Sequence, residues 1–316
     1  MHQRLIVLVG AGLLALALAA CGSSDPEPAA APTTTVAEEA VSVSFPVTVE
    51  GDNGRVEIAA EPARIVSLSA TATESLFAIG AGDQVIAVDD QSSFPPEAPV
   101  TDLSGFQPNI EAIAGYEPDL VIAAYDPGGL VNGLERLGIP VLLQDAAPDL
   151  DAAYAQIETL GEVTGRVEEA AAVAEDMEAE IERLVASAEG AAGLSVYHEL
   201  GPDFFSATSG TFIGSIYERL GLDNIADDAD RAGSDYPQLS AEHIVSSNPD
   251  LIVLADTKCC GQTAETVAKR AGWGRIDAVA EGNLVEADDD ITSRWGPRTV
   301  DFVRVVVEAL AEVGAR

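Results

Sequence analysis

The chain is short of positive charge, histidine, cysteine and aromatic residues, and each shortage excludes something. Lys and Arg number 16 against 53 Asp and Glu, a formal charge of −37 over 316 residues. A surface of that sign repels phosphate backbones, so nucleic acid is excluded as a partner. Only three histidines are present, and beyond the first residues only His198 and His243 remain. A zinc or manganese receptor, which uses several imidazoles and carboxylates, would have to be built on these two. A secreted hydrolase with a Ser–His–acid site would have to use one of the same two. No GxSxG elbow and no GxxxxGK[ST] phosphate loop occurs. Aromatic residues make up 5 %, yet apolar residues reach 47 %, ample for a folded core.

The start of the chain places it in the cell. Residues 1–20, MHQRLIVLVGAGLLALALAA, set one Arg4 before an unbroken apolar run, the layout of an export signal. From Leu5 to Cys21 the run is 17 residues, at the short edge of what spans a bilayer. Leu18-Ala19-Ala20-Cys21 resembles a bacterial lipoprotein signal. The resemblance implies cleavage before Cys21 and a lipid on its thiol. Removal of Arg4 leaves 15 basic residues against 53 acids, or −38. Residues 21–40, rich in Ala, Pro, Thr and Glu, are the composition of a flexible tether. The expected location is the extracytoplasmic face of the cell membrane, held by the lipid.

With Cys21 committed to the lipid, the other two cysteines are neighbours, Cys259 and Cys260 in "ADTKCCGQT". Export puts them where disulfides persist. A trans peptide holds adjacent α-carbons ~3.8 Å apart, closer than the roughly 4.4–6.8 Å of ordinary disulfides. A bridge would therefore close a tight ring and lock a sharp turn, for which Gly261 is suited. Free thiols and a soft-metal ligand pair are the alternatives, the last short of ligands.

Residues 41–148 open on a hairpin turning at Asp52-Asn53-Gly54. They continue as alternating strands and helices: "RIVSLS", "TATESLFAIG", "QVIAVDD", "NIEAIAGY", "DLVIAAY", "GLVNGLERLG" and "IPVLLQD". Such alternation predicts a parallel-rich sheet covered by helices. Residues 149–189 carry apolar positions in steps of three and four, predicting a long amphipathic helix even if Gly161 and Gly165 bend it. Residues 190–316 alternate again, from "LSVYHEL" to a final helix, "RTVDFVRVVVEALAEVG". An internal echo supports duplication: "IEAIAGYEPDLVIAAY" matches "AEHIVSSNPDLIVLAD" at an offset of 131, with Glu111 on Glu242 and Asp119 on Asp250. The expected class is α/β: two Rossmann-like lobes joined by one long backbone helix, with a ligand cleft between them.

From about Ala63 onward the chain resembles the substrate-binding lipoproteins of bacterial ABC importers, nearest the branch for ferric siderophores and cobalamin. The carrying residues are "RIVSLSATATESLFAIGAGDQVIAV", "PNIEAIAGYEPDLVIAAY", "LERLGIPVLLQD" and "SRWGPRTVDFV". The resemblance implies a monomer that captures a chelate without transforming it and delivers it to a permease and its ATPase. An iron–siderophore is the expected ligand, with cobalamin, haem or a free metal as alternatives and no resident cofactor. It further implies one docking acid on each lobe. These match Glu111 in "PNIEAIA" and Glu218 in "GSIYERLG", with Glu74 in "TATESL" a weaker match.

Strand-end loops should line the pocket. They offer Gln91, Phe106 and Tyr125 in the first lobe and Tyr236, Arg294, Trp295 and Arg298 in the second. Aromatics can stack on a planar chelate, and arginines can pair with carboxylate or catecholate oxygens. The competing reading of "SRWGPR" is structural, with Trp295 stapling the last helix and Arg298 opening it. The loop "SATSGTFIG" before a helix could cradle an anion or be a plain helix entry.

Overall fold

A computed structural model describes residues 43–230 and 233–314. The signal peptide, the tether through residue 40 and Cys21 lie outside those residues. Apolar segments bounded by Gly, Pro and Asx residues become strands, and capped periodic segments become helices. The first lobe contains β1 (Val47–Gly51), β2 (Gly54–Ile58), β3 (Ile65–Leu68), α1 (Ala70–Ala78), β4 (Val85–Asp89), β5 (Val100–Leu103), α2 (Ile110–Ala114), β6 (Leu120–Ala123), α3 (Leu130–Glu135) and β7 (Val141–Leu143). Helices α4 (Leu150–Thr164) and α5 (Val167–Ser187) follow. The second lobe contains β8 (Ser195–Glu199), α6 (Phe212–Arg219), β9 (Asp223–Asn224), α7 (Ala241–Ser247), β10 (Leu251–Leu254), α8 (Thr257–Cys260), α9 (Ala264–Ala268), α10 (Asp277–Glu281), β11 (Leu284–Glu286), α11 (Asp289–Thr292) and α12 (Thr299–Gly314).

Both large sheets are parallel, in the orders β5-β4-β3-β6-β7 and β11-β10-β8-β9. The central strands β3, β6 and β10 are buried along their whole length, as strands covered on both faces must be. In the first lobe, α1 and the connecting helices cover one face through Leu76, Ile157 and Leu160, and α2 and α3 cover the other through Ile113 and Leu134. In the second, α6 and α12 supply Ile216 and Val306 to one face, and α7 and α9 supply Ile244 and Val267 to the other. The hairpin β1–β2 is antiparallel. It is pinned to the edge strand β7 by Asn53, which donates to the Val141 carbonyl and accepts from Leu143 N–H.

The duplication is expressed in topology. The order β4-β3-β6-β7 is repeated as β9-β8-β10-β11. In each lobe the aspartate of the Pro-Asp joint reaches back to the start of the first central strand. Asp119 accepts from Ala63 N–H at 3.0 Å, and Asp250 accepts from Ser195 N–H at 2.8 Å.

The expectation of a single helix over 149–189 is corrected. Gly165, at φ +73°, ends α4, and α5 turns back against it. A Cβ on Gly161 would lie 2.4 Å from that of Ala170, so bare glycine is what lets the two helices approach there. The apolar periodicity runs through the break because each helix serves both lobes. Leu150 and Ala153 of α4 and Ile181 and Leu184 of α5 enter the second core. Ile157, Leu160, Ala170 and Met177 enter the first. The lobes are thus joined by an antiparallel helix pair. No helix among the described residues is long and apolar enough to cross a membrane.

Candidate ligand-binding cleft

Strands of both lobes end around one hollow of about 400 Å³, the position at which open α/β sheets bind ligands. The first lobe supplies Leu68 and Asp89 at the ends of β3 and β4, then Gln91, Phe106 and Tyr125 from the loops beyond. The second supplies Lys258 and Cys259 of α8, Asp289 and Asp290 of α11, and Ser293 to Trp295.

Phe106 and Tyr125 form an aromatic shelf. Their ring centroids are 5.4 Å apart, with 28° between the planes. The side chains remain 59 % and 44 % exposed, large apolar faces left bare at the mouth. Gly105 sets the first ring, because a Cβ there would meet the Leu68 carbonyl at 2.6 Å and the Asp89 carboxylate at 2.8 Å. Burial pushes the Asp89 carboxyl above its usual range, and the Ser92 hydroxyl, donating at 2.6 Å, pulls it back. Tyr236 stands outside the lining itself. Burial first, then Asp235 and the Tyr125 phenol of the other lobe, raise its pKa.

The cations of the cleft are already paired. Lys258 Nζ lies 2.6 Å from Asp288 and 2.9 Å from Asp290. Arg294 donates to Glu74 at 2.7 Å, to Asp290 at 2.9 Å and to the Gln91 carbonyl at 3.0 Å. Trp295 lines the wall, but its indole N–H donates to Gln156 of α4 at 2.7 Å. Arg298 does not reach the cleft. It donates to Glu74, and its guanidinium carbon lies 4.2 Å from the centre of the Phe94 ring. Glu74 is only 3 % exposed and is gripped by both arginines, which removes it as a surface docking acid.

The two matched acids lie at different edges. Glu111 is exposed in the first turn of α2, which begins on the strand-end side of its sheet. Glu218 is also exposed, but in the last turn of α6. That helix crosses from the end of β8 to the start of the parallel neighbour β9, so Glu218 lies on the edge away from the cleft. Glu242, exposed in the first turn of α7, holds the same topological position as Glu111. The echo at offset 131 carried that signal.

The histidines are used structurally. His198 is fully buried, its Nδ1 is 2.6 Å from the Tyr217 hydroxyl, and burial pushes its pKa down to about 3. His243 Nε2 lies 2.8 Å from the Ile225 carbonyl. No cluster of His, Cys, Asp and Glu suited to a metal occurs among the described residues. The loop "SATSGTFIG" spends its donors internally, since Ser209 N–H and hydroxyl both bind Asp227, at 2.8 and 2.7 Å.

Cys259 and Cys260 are joined by a disulfide across adjacent residues, with α-carbons 3.8 Å apart. Gly261, at φ +66°, ends the turn. The bridge expected from the doublet is thus present and borders the cleft, whereas Asp289 and Asp290 beside it were not among the expected lining residues. The signal present for them was the acid run "EADDD" at a strand end.

Comparison with known proteins agrees with this architecture. The model of a family described as periplasmic binding protein matches residues 65–291. The ABC transporter substrate-binding lipoprotein YvrC of Bacillus subtilis is 32 % identical over 277 residues, covering 84 % of this chain and 86 % of that protein. A cobalamin-binding protein of Halobacterium salinarum is 33 % identical over 315 residues, 95 % and 83 % of the two chains. The haem-binding protein RhuT of Roseiflexus sp. RS-1 superimposes with a TM-score of 0.70 at 25 % identity, over 79 % of this chain and 98 % of that one. The chain belongs to the periplasmic binding protein family, as a substrate-binding protein of the ABC importer type.

Proposed function

We propose that the cleft captures a neutral or cationic metal chelate, a corrinoid of the cobalamin class, and presents it to a membrane permease. One observation carries this reading: the cleft is acidic once its cations are counted as spent. Lys258 and Arg294 are each held by two carboxylates. Beyond those carboxylates, the lining also contains Asp89 and Asp289. Cations so paired offer little to catecholate or propionate oxygens, and a trianionic tris-catecholate or a haem with two propionates would meet repulsion. An uncharged corrin can lay its flat face on the Phe106–Tyr125 shelf. The similarity to a cobalamin-binding protein along 95 % of the chain agrees with this choice over the siderophore expected first.

Capture is tested by tryptophan quenching and calorimetry with cyanocobalamin, cationic ferrioxamine B, a ferric tris-catecholate and haemin. Cyanocobalamin is expected to bind and the tris-catecholate to be rejected. Tight binding of the tris-catecholate or haemin, with none of cyanocobalamin, overturns the reading. Preference for ferrioxamine B would keep the charge argument and replace the corrin.

Delivery is assigned to Glu111 and Glu242, one per lobe on the cleft edge, meeting basic residues of the permease. Charges so placed set orientation and association rate rather than ligand affinity. Retention at the membrane is assigned to a lipid on Cys21. Detergent partitioning should be lost in Cys21→Ser, and unchanged partitioning would remove the anchor.

A further inference from the structure

The disulfide-closed turn is more than an exposed bridge, because of what it is tied to. Helix α8 has four residues, Thr257 to Cys260. A helix that short has no stability of its own. Two devices hold it. One is the ring closed by Cys259 and Cys260. The other is Asp289, which accepts from the Thr257 hydroxyl at 3.0 Å, Lys258 N–H at 3.0 Å and Cys259 N–H at 2.8 Å. Burial would push the Asp289 carboxyl up, but the donors from Lys258, Cys259 and Thr257 hold it below the ordinary carboxylate range. The turn thus presents its amides to a fixed anion only while its backbone keeps this shape.

From the turn a continuous chain of contacts runs to the other lobe. Lys258 binds Asp290, Asp290 binds Arg294, and Arg294 binds Glu74 of α1. Cys259, Lys258, Asp289, Asp290 and Arg294 all line the cleft. Both cysteines are exposed, so a small thiol can reach the bridge, and exposed disulfides are the labile ones.

We propose that Cys259–Cys260 is a redox-sensitive wall of the ligand cleft. Oxidised, it holds the α8 turn on Asp289 and the cleft in its capturing shape. Reduced, it releases the turn and lowers affinity. The inference rests on the assignment of this hollow as the ligand site. The reductant is a dithiol. One of its thiolates attacks a cysteine sulfur, breaking the S–S bond and forming a mixed disulfide. Its second sulfur then closes on the first, expelling the remaining cysteine. Two electrons and two protons pass to the protein, which gains two thiols, and the dithiol leaves as a cyclic disulfide.

The test compares oxidised protein, protein reduced with dithiothreitol and a Cys259→Ser/Cys260→Ser variant, with complete reduction verified by two alkyl adducts in intact mass. Hydrogen exchange of the ligand-free proteins is read first. Amides of residues 257–261 should exchange at least about tenfold faster in the reduced protein and in the variant. Dithiothreitol should not change the variant further. Unaltered exchange at these residues after full reduction overturns the proposal. Cyanocobalamin is then titrated into each form, with a Kd at least about fivefold weaker expected for the reduced protein and the variant. Equal binding by all forms overturns the proposal while sustaining the corrinoid assignment. Binding by none removes that assignment, and exchange alone then decides whether the wall is redox-sensitive.

Discussion

Arg294 of the second lobe donates to Glu74 of the first at 2.7 Å, across 220 residues of sequence. Arg298 donates to the same carboxylate from the next turn of chain. A buried acid held by two guanidinium groups is a clasp between lobes. Removing the acid leaves both cations short of a partner at a site where little water enters.

Glu74→Ala should therefore destabilise the protein by about 3–5 kcal/mol, the usual cost of breaking a buried pair from one side. Calorimetry should show a melting temperature lower by about 10 °C. A melting temperature equal to that of the parent would show that the clasp contributes nothing to folded stability.

The aromatic shelf should contribute through stacking. Phe106→Ala and Tyr125→Ala should each weaken cyanocobalamin binding about tenfold, with stability almost unchanged because both rings are exposed. Equal affinity in the double variant would place the corrin elsewhere.

Docking should separate uptake from binding. Glu111→Arg and Glu242→Arg are expected to leave ligand affinity as it is and to lower uptake into vesicles carrying the permease, most in the double variant. Glu178 and Glu218, exposed acids away from the cleft edge, provide the control for general charge effects in so acidic a chain. A loss as large from Glu178→Arg with Glu218→Arg would defeat the assignment.

Two buried groups pull stability in opposite directions with pH. His198, lowered by burial to about 3, binds a proton more readily unfolded. Its contribution is complete above the ordinary histidine value and is lost as pH falls toward 3. Asp256 is raised to about 7, by burial first and the Glu199 carboxylate second. Its contribution is complete below the ordinary aspartate value and is lost as pH rises toward 7. Each slope is at most about 1.4 kcal/mol per pH unit. Urea titrations between pH 4.5 and 6 should show stability rising more steeply with pH in Asp256→Asn than in the parent. In His198→Phe with Tyr217→Phe, which leaves no hydroxyl orphaned, the trend should shift the other way. Parallel curves for all three would show that neither group titrates differently on folding.

By itself the sequence determined the class of fold, the repeat and the lobe cores. Strands such as β3, β6 and β10 are buried on both faces, so they stand out as short apolar runs wherever they occur. The caps and Pro-Asp joints around them act over a few residues. Segments lacking such local marks escaped: β9 spans two residues and α8 four, too short for any period to register. The helix pair α4–α5 read as one helix because both halves bury a face in the same two cores.

Tertiary structure alone decided what the cleft can recognise. Whether Arg294 is free for a ligand depends on Glu74, far away in sequence, and whether Glu218 or Glu242 shares an edge with Glu111 depends on which way a helix crosses its sheet. Charge pairing and edge placement are properties of distance in space. A chain with 53 acids and 16 bases offers every arginine many partners, and only the packing of the two lobes selects among them.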